Sequence, residues 1–231
     1  MITKDMISDG WREVVLGLDI SKSCGWSIWE TERSPASIKN GVLEFPEGAS
    51  IEYCADQMAL KIKKLITGYR DQYAYEDFVK DENGVWQMKK RYARQINLVV
   101  TETALKMSPN KDSRSIVTSC MLHGAVLGAC SLYGIPWATM AVQTWRKHFF
   151  PDRFKPKPTI TIDRATGEKK EGALDWKGAV VARCQEPDLA ITLPAKKTIS
   201  HNAAESCALS LMWHHATVEP RYQPAFMKML Q

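Results

Sequence analysis

No two cysteines in this chain stand at Cys-x-x-Cys spacing, no apolar run near its start has the length of a signal peptide, and no later segment reads as a bilayer-spanning helix. The first absence removes zinc ribbons and thioredoxin-like redox sites. The other two predict a soluble, cytoplasmic protein with no membrane partner. Low-complexity tracts and internal repeats are missing too, which excludes a solenoid and argues against long disordered arms. The six cysteines (Cys24, Cys54, Cys120, Cys130, Cys184 and Cys207) lie scattered among apolar or small neighbours, as reduced and mostly buried thiols do. Excess charge is scarce: +5 over 231 residues. A chain of that length buries a full core without disulfides, and the expectation is one α/β domain over residues 1–231 with insertions at 71–97 and 156–172.

What charge there is sits unevenly. From Trp145 to Lys177 there are nine Lys/Arg and five Asp/Glu, so +4 of the +5 falls in one stretch. Concentrated cations are what phosphate binding requires, because affinity there comes largely from counterion release. A solvated basic loop would show the same excess. Within the stretch Trp145, Phe149, Phe150 and Phe154 alternate with Arg146, Lys147, Arg153 and Lys155, an interleaving that suits base stacking beside phosphate contacts. Helical spacing assigns Trp145 and Phe149 to the core and leaves Phe154 open.

Hydrophobic periodicity predicts a mixed sheet flanked by helices. Residues 13–19 read as a buried strand ending on Asp19, and 26–30 and 37–45 as two further strands of a meander. A helix follows over Ser50–Tyr69. Residues 73–79 are strand-like, and the basic run Trp86–Gln95 reads as a helix within an insertion. Residues 96–102 form a second apolar strand ending on an acid, Glu102. Helices are predicted at 115–133, 143–150, 175–184 and 201–215, with a strand at 135–140 and a small hairpin near 159–163.

Three carboxylates occupy positions such a sheet brings together: Asp19 and Glu102 at strand ends and Glu205 on the last helix. His201 and Asn202 share its face, four and three residues back. Clustered carboxylates with an imidazole or amide suit hard divalent cations, Mg2+ or Mn2+, and two such ions clamp the oxygens of an in-line phosphoryl displacement. Taken singly, each has a plainer explanation. A strand-end Asp is commonly a turn residue, a helical Glu a solvated charge, and Asn202 a helix cap. Glu76 rivals Glu102, since it too lies in a strand-like run.

The segment Gly17-Leu18-Asp19-Ile20-Ser21-Lys22-Ser23-Cys24-Gly25-Trp26 resembles the opening strand of RuvC-type Holliday junction resolvases, a branch of the ribonuclease H-like nucleases. Val99-Val100-Thr101-Glu102, followed by Leu122-His123-Gly124, is similar to the second acidic strand and next helix of phage members. Thr144-Trp145-Arg146-Lys147 resembles their Trp-Arg-Lys segment, Lys177-Gly178-Ala179-Val180 the basic helix, and His201-Asn202-Ala203-Ala204-Glu205 the closing helix. The order runs from Val14 to about Trp213. The resemblance implies a homodimer with two divalent ions held by Asp19, Glu102, Glu205 and Asn202 or His201. It further implies four-way junctions as substrate and places Lys147 and Lys177 near the catalytic face; the charge of the stretch adds Arg146, Lys155 and Lys157 to the expected contacts with branched DNA. Asn202 and Glu205 stand where paired aspartates are commoner. That departure keeps open a non-catalytic nucleic-acid-binding protein of the same fold, beside a nuclease for flaps or RNA–DNA hybrids.

Two other classes fit less well. The Gly-Leu-Asp-Ile-Ser-Lys-Ser opening also resembles the phosphate loop of actin-like and sugar-kinase ATPases, but those duplicate the fold and this chain has one such opening. Cys120, His123 and Cys130 suggest a zinc module, but all three fit the spacing of one amphipathic core helix.

Overall fold

The structure is a computed structural model that describes residues 14–80, 82–103, 113–162 and 169–213. Its centre is a sheet of five strands. β1 (Val14–Asp19), β2 (Ser23–Glu30) and β3 (Lys39–Glu44) make an antiparallel meander. β6 (Leu98–Glu102) and β7 (Trp137–Met140) add in parallel on the other side of β1, giving the order β3-β2-β1-β6-β7. The central strands β1 and β6 are buried on both faces, which is why they read as unbroken apolar runs rather than alternating ones.

Helices cover each face. Val14, Leu16 and Leu18 point into a core shared with α1 (Ile51–Asp71) and α2 (Ser113–Leu132), through Met58, Ile62, Leu122 and Val126. Val15 and Val100 point the other way, toward α3 (Val142–Phe149), α4 (Trp176–Cys184) and α5 (Lys197–Met212). Trp145 is fully buried in that second core and Phe149 nearly so, as helical spacing required. Ser50 caps α1 and Asp175 caps α4 through side-chain oxygens. Gly134, at φ 61°, ends the chain's run out of α2 in a left-handed turn. Five of the six cysteines are buried and all are free; Cys120 is exposed.

α5 sits unusually close to the sheet. Asn202, Ser206 and Ser210, four residues apart, form one ridge of the helix. Gly17 and Gly25 present no side chain beneath it, and a Cβ at either would collide with α5 backbone, at Ser206 and Asn202 respectively. Ser27 completes the seat: its hydroxyl donates to the Ser206 carbonyl at 2.7 Å and lies 3.0 Å from the Ser210 hydroxyl.

Two hairpins stand outside the central sheet: β4 (Ala74–Lys80) with β5 (Trp86–Tyr92), and β8 (Pro158–Ile162) with β9 (Lys169–Leu174). The second agrees with the expected hairpin; its Arg164–Glu168 turn lies outside the described residues. The first corrects the expectation of a helix in 71–97. The run Trp86–Gln95 is helix-permissive in composition, but Lys89 and Lys90 fall directly opposite Asp77 and Glu76 in the strand register, and cross-strand charge pairing decides for the ribbon. Its root is pinned at the far edge of the sheet by Glu30. This carboxylate accepts from Tyr69 at 3.0 Å and Tyr73 at 3.3 Å and pairs with Arg33 and Arg94.

Two other expectations need correction. α2 is long and apolar enough by composition to cross a membrane, contrary to the reading that no segment was; here one side of it packs on α1 and the sheet. The last helix begins at Lys197, so Asn202 lies inside it and is not its cap. The expected continuation to His215 lies beyond the described residues.

Candidate active site

β1 and β6 are adjacent and parallel, with Leu18 opposite Thr101. The next residue on each strand, Asp19 and Glu102, therefore emerges at the same sheet edge about one strand spacing apart. Asp19 is also the register partner of Gly25, the glycine on which α5 rests at Asn202. One turn along α5, Glu205 meets Asp19, and the two carboxyl groups share a hydrogen bond. The three acids thus arrive from two strand ends and a helix held close by missing side chains.

The electrostatics follow from that crowding. Burial pushes the Asp19 carboxyl well above the usual range, repulsion from Glu205 and Glu102 adds to it, and the hydrogen bond to Glu205 adds further; Lys177 opposes. Glu205 is raised by burial and held back by Arg146, Lys177 and that same bond. Without a cation, two carboxyl groups this close cannot both ionise at the ordinary cost.

Glu102 is turned toward Trp145, whose Nε1 lies 3.5 Å from its Oε2. Its backbone carbonyl is 3.0 Å from Nε2 of buried His123, whose Nδ1 lies 2.8 Å from the Ser119 carbonyl, so this imidazole ties α2 to the end of β6. Both ring nitrogens of His123 are thereby occupied, Cys120 points to the surface, and no zinc triad forms with Cys130. Among the described residues no three His, Cys, Asp or Glu side chains are already grouped as a metal cage. The Asp19–Glu205 pair is in contact, and Glu102, turned toward Trp145, acts on Asp19 through its charge.

The remaining candidates divide. Asn202 is buried and its amide nitrogen donates to the Ser23 carbonyl at 2.7 Å, leaving its side-chain oxygen as the one atom it could offer a cation. His201 faces Lys177, with Nε2 3.2 Å from Nζ; burial and Lys177 hold its pKa down, so the neutral ring accepts from the ammonium. Arg146 reaches Glu205 at 3.9 Å, its guanidinium lying over the rings of Trp145 and Trp176. Lys147, Lys155, Lys157 and Lys177 are exposed, on α3, on α4 or in the chain that joins them. Glu76 is exposed on the β4–β5 ribbon, opposite Lys90 and away from the sheet edge.

Beside the acids opens a cleft of about 480 Å³, walled by the ends of β1 and β6 and the first turns of α2, with Lys22 and Arg114 among its lining residues. The donor set there is hard, anionic and crowded, which fits a divalent cation of the magnesium class better than a soft metal. Sequence reading passed over Trp176 and the second role of Arg146. An aromatic placed directly between the helix cap Asp175 and the cation Lys177 was the available signal.

No family model matches the chain, and no curated protein matches it in sequence. Solved structures do. RuvC of Thermus thermophilus in complex with a Holliday junction substrate is 12% identical, with 91% of this chain and 96% of that chain aligned at a TM-score of 0.52. A second Thermus thermophilus RuvC structure is 13% identical at a TM-score of 0.49, with the same coverage. The yeast mitochondrial Holliday junction resolvase is 10% identical over 99% of this chain and 92% of that one, with a TM-score of 0.43. The central sheet and its flanking helices have the ribonuclease H-like fold of RuvC.

Proposed function

We propose that the chain is a divalent-metal-dependent endonuclease that cuts branched DNA, four-way junctions foremost, as a soluble cytoplasmic homodimer serving recombination. The observation that carries this is the half-buried Asp19–Glu205 carboxyl pair with Glu102 beside it and Arg146 and Lys177 as neighbouring cations. Asp19, Glu102 and Glu205 would hold one or two Mg2+ or Mn2+ ions, with the Asn202 oxygen as a further donor. Bound there, the ions supply Lewis acidity to an in-line phosphodiester displacement. Arg146 and Lys177 hold the phosphate against the acids, and Lys177 keeps His201 neutral.

Symmetric cutting of a four-way junction needs two centres related by a twofold axis. α2 offers the face for it. From Ser115 to Leu132 it carries no Lys, Arg, Asp or Glu, and its outward line runs Val117, Cys120, Gly124, Gly128 and Leu132. Val117 is 49% and Leu132 87% exposed, which a monomer in water would leave uncovered.

A labelled four-way junction, a flap, an RNA–DNA hybrid and a linear duplex, each incubated with EDTA, Mg2+ or Mn2+, test the proposal, with sedimentation run on the same preparation. Metal-dependent paired nicks in the junction by a sedimenting dimer are expected. Preference for flap or hybrid would move the substrate. Junction binding with no cutting in any metal would establish the non-catalytic reading.

Arg146, Lys147, Lys155, Lys157 and Lys177 form the proposed DNA-contacting set. Replacing Arg146, Lys147, Lys155 and Lys157 with alanine is expected to weaken binding to every DNA alike. It should also flatten the dependence of log affinity on log salt, by roughly 0.9 for each duplex phosphate that the variant no longer neutralises. An unchanged slope would mean that these residues only solvate a loop.

A further inference from the structure

A second cleft, of about 490 Å³, lies on the far side of Arg146 from Glu205, between α3 and the start of α4. Its floor is aromatic. The Phe154 ring stacks on Phe150 with centroids 4.4 Å apart and an 8° tilt, and Trp176 packs edge-on to both. Phe150 belongs to the core at 6% exposure, whereas Phe154 remains 38% exposed. A ring added against Phe154 would extend a parallel stack already two rings deep.

The surroundings are not those of a core. Arg146, Lys147 and Arg153 rim the cleft against a lone acid, Asp152. The Arg146 guanidinium lies 4.6 Å from the Trp176 ring centroid, and its Nε is buried with no hydrogen-bond partner among the described residues, an uncommon condition for a buried donor. Arg153 holds a left-handed backbone at φ 63°, a conformation disfavoured for a residue with a long side chain and concentrated at turns and functional sites. The Arg153 conformation belongs to the turn closed by the Phe154 N–H and the Pro151 carbonyl at 3.0 Å, which sets Phe154 at the cleft; packing alone does not call for the buried Nε. Three cations around an aromatic floor complement a flat, neutral ring flanked by phosphates; they do not suit an apolar peptide.

The geometry points to a receiving pocket for one unstacked nucleobase, floored by Phe154 and Trp176 and next to the carboxylate cluster. It rests on the reading of the chain as a DNA-binding nuclease. Because Arg146 touches both Glu205 and Trp176, the base held here belongs to a nucleotide adjoining the phosphate at the acids. A fully paired duplex has no such base to offer. Branch points and single strands do.

The test compares wild-type protein with Phe154→Leu and Phe154→Tyr, measuring affinity in EDTA for an oligothymidylate, a four-way junction and a paired duplex. Phe154→Leu is expected to lose roughly tenfold on the oligothymidylate and the junction while duplex affinity stays within twofold; Phe154→Tyr keeps all three. No loss, or equal loss on all three DNAs, overturns the pocket and leaves the nuclease reading standing. Wild-type protein that binds none of the three overturns both. A measurement independent of any variant is near-ultraviolet crosslinking of wild-type protein to an oligonucleotide carrying 5-iododeoxyuridine. Adducts at Phe154 or Trp176 support the pocket, and adducts confined to other residues overturn it.

Discussion

Asp19→Asn is expected to lower junction cleavage roughly a thousand-fold or more while four-way-junction affinity, measured by gel shift in Ca2+, stays unchanged. Metal-borne charge stabilisation is worth several kcal/mol, and each 1.36 kcal/mol is a factor of ten in rate. Affinity, by contrast, comes from cations that the substitution leaves in place. The same change has an opposite effect on the metal-free fold. A carboxyl whose folded-state pKa is raised costs nothing below the ordinary carboxylate range, where both states are protonated, and destabilises increasingly as pH rises toward the folded value. Asp19 and Glu205 both behave so. At about pH 8 in EDTA, Asp19→Asn should therefore melt above wild type, and Mg2+ should stabilise wild type more than the variant. Binding that falls in step with cutting, or a variant that melts lower in EDTA, would show that Asp19 shapes the fold rather than the chemistry.

Gly25→Ala is expected to be among the most damaging single-methyl additions in the chain. The new Cβ would run into the backbone of α5 at Asn202, which has no rotamer by which to yield. Overpacking typically costs about 1–3 kcal/mol, and a helix-backbone obstacle places this case at or above the upper end. Moving α5 also moves Glu205 from Asp19, so cleavage should fall in the protein that still folds. Gly68→Ala is the matched control. Gly68 is exposed within α1 with nothing near its Cβ position, and removing a helical glycine there should gain roughly 0.5–1 kcal/mol. Urea unfolding of both variants measures the contrast. Similar stabilities for the two would mean that α5 does not depend on the Gly25 seat.

Much of this arrangement was legible in the residues. Buried strands announce themselves as unbroken apolar runs, and Val14–Asp19 and Leu98–Glu102 did so, each stopping at an acid. Their adjacency was harder to see, because it follows from a parallel pairing across 78 residues of intervening chain (20–97) that no local pattern encodes. The ribbon at Trp86–Tyr92 was misread because lysine, arginine, glutamine and methionine favour helices when judged alone; only the acids at Glu76 and Asp77, across the turn at Gly84, favour the strand. Asn202 looked like a ligand or a cap from its neighbours. Its bond to Ser23 arises from the close approach of α5, and that approach is written in Gly17, Gly25 and Ser27, far away in sequence. Trp176 escaped notice for the same reason: its importance lies in Arg146, which packs on it from another helix.

The order of the three acids along the chain bears on how the cluster is made. Asp19 is synthesised before Glu102, and Glu102 before Glu205, which lies on the helix that rests on Gly17 and Gly25. A nascent chain that already contains all five strands of the sheet still lacks the third acid until α5 follows. For a nuclease of the proposed kind this order is a safeguard: DNA meets a competent enzyme only after α5 has been made and has docked.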